Sequence, residues 1–176
     1  MESFSWSYKL LHWLIAVLIF IMFFALQGFN PEMSDADRTM MLIGHSSIGT
    51  IISMLLLMRI SKRFILKHER PRHHSLSKQA TAAKLTHYGL YLLMILVPLT
   101  GFITANFHQL PVQLFGSIPL NGTANAEVFT MLRLAHSTFV IALIALVTIH
   151  IAAALLHKFI LGDNVLYNMR PWFAKK

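Results

Sequence analysis

Apolar residues in this chain come in runs too long for a soluble core. Four stretches, near residues 10–29, 40–58, 85–106 and 134–157, contain no Asp, Glu, Lys or Arg. Each holds about 20 residues, the length an α-helix needs to cross a bilayer core of about 30 Å. The pattern therefore predicts an all-α, integral membrane four-helix bundle, with residues 1–176 forming a single domain. Pro98 and Gly101 fall inside the third stretch and are expected to kink or loosen that helix. The first stretch is too long for the apolar core of a signal peptide and has no small-x-small cleavage site near its end, so it reads as a retained helix. The segment 107–131 between the last two helices is long yet still apolar (Leu110, Val112, Leu114, Phe115, Ile118, Leu120), which predicts that it folds back onto the bundle.

Charge orients the four spans. Between the second and third stretches lie Arg59, Lys62, Arg63, Lys67, Arg70, Arg72, Lys78 and Lys84, opposed only by Glu69. The positive-inside rule places this basic loop, and hence both termini, in the cytoplasm. Thirteen of the fifteen basic residues and three of the seven acidic ones then fall inside, a net +10, against −2 outside. The overall +8 is thus an orientation signal and an attraction to anionic lipid, not the footprint of a nucleic-acid partner. Composition agrees: 56% of residues are hydrophobic, only 12% are charged, and mean hydropathy is +0.60. A soluble domain averages about 25% charged. There are no cysteines, which excludes disulfides, thiolate-held metal centres and covalently attached haem.

Histidine is the candidate chemistry. A histidine inside a span is costly and marks function by default, and five are found there: His12, His45, His87, His136 and His150. His136 and His150 are fourteen residues apart, close to four helical turns, so they share one helix face about 21 Å apart along the axis. The topology assigns His45 and His136 to the outer half of the membrane, and His150 with either His12 or His87 to the inner half. Two imidazoles on different helices can clamp one haem iron from both sides, which fills both axial positions and favours electron transfer over oxygen binding. Two non-covalent haem b groups are the implied cofactors. Gly44 and Gly49 beside His45 would let a flat macrocycle approach the backbone. Arg38 and Arg133 are candidate propionate or anion contacts outside, and Lys9 inside. Two blander readings stand beside this one: histidines that only hydrogen-bond neighbouring helices, and a haem-free metal transporter, which would want acidic residues that these spans lack. His68, His73, His74, His108 and His157 lie at or beyond the span ends, and the ten methionines form no copper-like motif.

Leu10-Leu11-His12-Trp13, His45-x-x-x-Gly49 and the His136/His150 pair resemble bacterial cytochrome b561, over essentially the whole chain. The resemblance implies the pairs His12–His150 and His45–His136, and frees His87 for a proton or quinone contact or a plain interhelical hydrogen bond. It implies a protein of the bacterial inner membrane. The chain is similar to the small stand-alone members that exchange electrons with ubiquinone, and the implied activity is superoxide:quinone oxidoreduction without an obligate protein partner. Ser77, Lys78, His87, His157 and Lys158 are the candidate quinone contacts. A cytochrome b anchor or electron-conduit subunit of a membrane dehydrogenase or hydrogenase is the alternative within the same relationship.

Overall fold

The computed structural model describes residues 4–26, 32–65, 78–162 and 169. Four long helices dominate: α1 (Trp6–Leu26), α2 (Asp35–Ile65), α3 (Lys78–Asn106) and α4 (Ala126–Leu156). Each is long and apolar enough to cross a membrane. A short hairpin, β1 (Gln113–Leu114) and β2 (Ile118–Pro119), lies between α3 and α4, and a π-helical turn (His157–Leu161) follows α4. Few side chains are fully buried, and large apolar residues such as Phe24, Met54, Leu92, Leu134 and Ile141 stay exposed on the flanks. That is the surface expected where lipid replaces water as the solvent, because apolar atoms gain nothing there by turning inward.

The helices overrun the apolar stretches that announce them. α2 begins at Asp35 and ends at Ile65, and α4 begins at Ala126. Arg59, Lys62 and Arg63 are consequently helical, and so is the backbone of Lys78 and of Lys84; the basic loop is shorter than the charges suggest. Charged ends do not stop a helix: Lys and Arg are good helix formers, and basic residues suit the C-terminal end of α2, acidic Asp35 and Asp37 its N-terminal end. Asn125 caps α4, accepting from the backbone N–H of Glu127 and of Val128 at 3.1 Å each. α3 runs unbroken through Pro98.

The core has two parts. Ile15, Ile19 and Ile52 join α1 to α2, with Met94 of α3 packed against them. At the other end Ala105, Val112 and Leu120 pack with Leu42 and Leu114 and seat the hairpin on the bundle. Two serines of α2 clamp it: the Ser46 hydroxyl donates to the Gln113 carbonyl at 2.8 Å, and the Phe115 N–H donates to the Ser47 hydroxyl at 2.7 Å. Phe115 sits in the left-handed region at φ 53°, a conformation costing a non-glycine residue about 1–2 kcal/mol, and the Ser47 bond holds it there. The hairpin marks one end of the bundle; α1 begins and α4 finishes at the other, the terminal end. There the Trp13 indole N–H donates to the Met169 carbonyl at 2.9 Å, docking that residue on α1.

Candidate functional site

α3 and α4 form the most extensive interface, and glycine lets them approach. A Cβ built on Gly89 would meet Leu146 Cδ2 at 2.8 Å. A Cβ on Gly101 would meet the His136 ring, at 2.9 Å from Cε1 and 3.2 Å from Nδ1. Gly101 is therefore the seat of His136, a sharper role than the loosening of α3 expected from its place in the sequence. The seated ring is held by polar contacts: His136 Nδ1 lies 3.0 Å from the Val97 carbonyl and 3.2 Å from Thr100 Oγ1. Thr100 Oγ1 also donates to the Leu96 carbonyl at 2.7 Å. An Nδ1–H donated to Val97 leaves Nε2 as the acceptor, the arrangement a metal-ligating histidine ordinarily shows.

Opposite His136, across from α4, stands His45 of α2. The two ring centroids are 6.2 Å apart with planes at 77°. At the terminal end His12 of α1 faces His150 of α4 at 6.4 Å and 78°. His87 of α3 approaches the same His150 more closely, at 5.4 Å and 67°. These separations discriminate. An imidazole nitrogen binds a transition metal at about 2 Å, and a five-membered ring with bonds of about 1.35 Å sets each nitrogen about 1.15 Å from its centroid. Two imidazoles on opposite sides of one ion thus have centroids about 6.3 Å apart. The 6.2 Å and 6.4 Å pairs meet that requirement; the 5.4 Å pair is about 0.9 Å too close.

The donor chemistry fits a haem better than a bare ion. Among the described residues no group of three or more His, Cys, Asp or Glu is arranged to hold a metal. Each pair with the wider separation offers two opposed imidazoles, which would suit an iron already held by a macrocycle. A Cβ built on Gly49, four residues after His45, would meet no atom within 4 Å, which leaves room for a flat group on that face, whereas Gly44, one residue before His45, is exposed.

Other sequence-derived candidates divide between the two ends. Arg38 and Arg133 both act electrostatically on His108 at the hairpin end. The His108 ring packs edge-on against Phe129 at 4.8 Å and accepts from the Leu110 N–H at 2.9 Å, and the Arg133 guanidinium lies 6.0 Å from the Phe129 ring. Burial holds the His108 imidazole below the ordinary histidine range, and the two arginines push it the same way. At the terminal end His87 joins His150, whereas Lys158 rests over Phe159 at 4.7 Å and His157 opens the π-helical turn. Lys9 is half-buried beside Tyr8. Ser77 lies outside the described residues, as do the side chain of Lys78 and the whole of His68, His73 and His74.

Sequence reasoning missed a polar group at this end. Arg59 is only 8% exposed. Its Nη1 donates to the Tyr8 carbonyl at 2.8 Å, its guanidinium stacks 4.0 Å from the Tyr8 ring centroid, and the Tyr8 and Tyr91 hydroxyls meet at 3.1 Å. Tyr8 is one turn before His12, and Tyr91 one turn after His87. Those four-residue offsets were the available signal; Arg59 itself, directly following an apolar run, looked like the start of a loop.

A family model described as prokaryotic cytochrome b561 matches residues 3–172. The chain is 27% identical over 178 residues to cytochrome b561 homolog 1 of Escherichia coli (strain K12), covering 97% of this chain and 98% of that protein. It is 28% identical over 168 residues to a protein of Yersinia pestis named probable superoxide oxidase CybB, covering 92% of each. Cytochrome b561 homolog 2 of Escherichia coli (strain K12) is 28% identical over 165 residues, covering 90% of this chain and 86% of the relative.

Proposed function

Because this chain belongs to the prokaryotic cytochrome b561 family, a family of haem b-binding membrane electron-transfer proteins, we propose that it is a di-haem oxidoreductase that oxidises superoxide outside the membrane and reduces ubiquinone inside. The observation that carries the reading is the pair of centroid separations, 6.2 Å for His45–His136 and 6.4 Å for His12–His150. Each is the span of one iron held between two imidazoles. His45 and His136 hold the outer haem, His12 and His150 the inner one. Bound there, haem would supply a one-electron carrier.

The chain's own residues then have separate tasks. Thr100, Val97 and Gly101 orient His136, as described above. Arg38 and Arg133, both close enough to act on His108, supply local positive charge where the hairpin end as a whole carries the acidic residues Glu32, Asp35, Asp37 and Glu127. A small anion is drawn by such a local field when its path lies within about one Debye length of it. Two superoxide anions release two dioxygen molecules and two electrons; one ubiquinone takes those electrons with two protons to form the quinol. The candidates for holding the quinone are Ser77, Lys78, His87, His157 and Lys158; of these His87, His157 and Lys158 stand at the terminal end, which the excess of basic residues in the adjoining segments orients to the cytoplasm. The superoxide assignment draws support from the name of the Yersinia pestis relative.

The test uses the purified full chain in liposomes with ubiquinone. A reduced-minus-oxidised b-type spectrum with two haems per chain, and quinol formed at one per two superoxide consumed, is the expected result. No b-type band overturns the haem reading and favours the metal transporter. Two haems without superoxide turnover, together with stable co-purification of an iron–sulfur protein, replaces the enzyme by an electron-conduit subunit.

A further inference from the structure

A guanidinium buried in the membrane-embedded part of a protein needs an anion, since a charge taken out of water is costly unless paired. Arg59 is such a group. The backbone carbonyl of Tyr8 and the Tyr91 hydroxyl engage it, but both are neutral, and a guanidinium carries five N–H donors. Every carboxylate among the described residues sits at the opposite end: Glu32, Asp35, Asp37 and Glu127. Even Asp37, on the same helix, is twenty-two residues away, or about 33 Å along the axis. Meanwhile Arg59 lies close enough to act electrostatically on His12, His87 and His150 together.

We propose that Arg59, framed by Tyr8 and Tyr91, is the carboxylate anchor of the terminal-end prosthetic group, binding a propionate of the haem held between His12 and His150. The inference rests on the proposed haem pair and adds to it the residue that fixes how that haem is turned. The guanidinium fork matches a carboxylate geometrically, with two parallel N–H···O bonds. The Tyr8 ring braces its face, and the Tyr8–Tyr91 hydroxyl contact ties α1 to α3 beside it. Lys62 contributes a strut by donating to the Ser7 hydroxyl. Lys9, the cation that the sequence suggests for this role, is one position along from Tyr8 and does not share its face of the helix toward Arg59. The same chemistry, a singly charged oxyanion on a buried guanidinium, has a second source in a lipid phosphate, so the test separates the two.

Arg59→Met and Arg59→Lys variants of the full chain, with Tyr91→Phe as a milder perturbation, are compared by haem content, by redox titration of each haem and by the propionate-bending band in resonance Raman spectra. In Arg59→Met the haem that responds to His12→Ala falls in potential and its propionate band shifts, while the other haem is unmoved. Arg59→Lys falls between, because it keeps the charge and loses the fork. Haem retained with both potentials and the propionate band unchanged in Arg59→Met overturns the proposal. So does reproduction of the Arg59→Met signature by Glu2→Gln, Glu69→Gln or Asp163→Asn, which would make the partner one of the chain's own acids. A potential that follows added phosphatidylglycerol in the wild-type protein but not in Arg59→Met, with no change in the propionate band, assigns the site to lipid and overturns it too. Absence of haem from the wild-type protein instead defeats the haem pairs themselves, a failure visible before any Arg59 variant is made.

Discussion

Replacing Gly101 by Ala is the sharpest perturbation of the proposed outer haem site, because it replaces neither ligand and acts only by pressing on the His136 ring. The added Cβ would stand 2.9 Å from His136 Cε1. Restoring ordinary contact at 3.4 Å requires the ring to withdraw by about 0.5 Å. The ring cannot do so freely: its Nδ1 is tied to the Val97 carbonyl at 3.0 Å and to Thr100 at 3.2 Å. Overpacking of this kind costs about 1–3 kcal/mol if the ring stays. If it moves, a hydrogen bond worth about 1 kcal/mol is stretched, and a site that needs its ligands within about 0.5 Å loses its geometry. Loss of such an orienting contact weakens a metal site about 10–100-fold. Haem content and potentiometric titration measure the effect. The haem assigned to His45–His136 should fall in occupancy or shift in potential, with the second haem intact. Gly89→Ala is the control, since its Cβ meets the end of a Leu146 side chain that can rotate away. Two haems at full occupancy with unaltered potentials in Gly101→Ala would refute the reasoning.

Among single histidine variants, His45→Ala and His136→Ala should perturb one haem, and His12→Ala and His150→Ala the other. His87→Ala should keep both haems, because 5.4 Å is too short to enclose an iron; loss of a haem in His87→Ala but not in His12→Ala would reverse the inner pairing. Neutralising Arg38 and Arg133 together should slow superoxide oxidation and flatten its dependence on salt, which stopped-flow measurements at several ionic strengths would register. Burial lowers the pKa of His108, so its folded value lies below its unfolded one of about 6.5. The unfolded chain therefore gains the proton first, and stability should fall as pH drops from about 6.5 toward the folded value. The thermal midpoint of His108→Gln should decline less than the wild type's between about pH 7.5 and 5.5.

Much of the architecture was legible in the chain. Four charge-free runs of about twenty residues correspond to four helices because lipid makes length and apolarity almost sufficient for a span. Histidines on the helix-forming runs stood out because burying an imidazole in lipid is costly. Helix ends were less legible: α2 carries Arg59, Lys62 and Arg63 and still winds on to Ile65, since hydropathy marks where the membrane stops, not where the helix does. The Phe107–Met131 loop was expected to turn back onto the bundle. The described structure gives it a hairpin clamped by Ser46 and Ser47, and returns its last residues to α4 through the Asn125 cap.

The candidate site separates the two kinds of information. A 3.6-residue repeat is local, so the sequence alone could set His136 and His150 on one face of one helix, about 21 Å apart. Depth along the helices could not choose between His12 and His87 as the neighbour of His150, because both lie at the same depth on different helices; the family resemblance implied His12. A difference of 1.0 Å in ring separation, 6.4 Å against 5.4 Å, exists only once α1 and α3 have packed against α4. The same holds for Gly101 under His136 and for Arg59 on Tyr8, contacts between residues 35 and 51 positions apart. Periodicity and hydropathy are properties of the chain; contact between helices is a property of their packing, and the tertiary structure alone decided it.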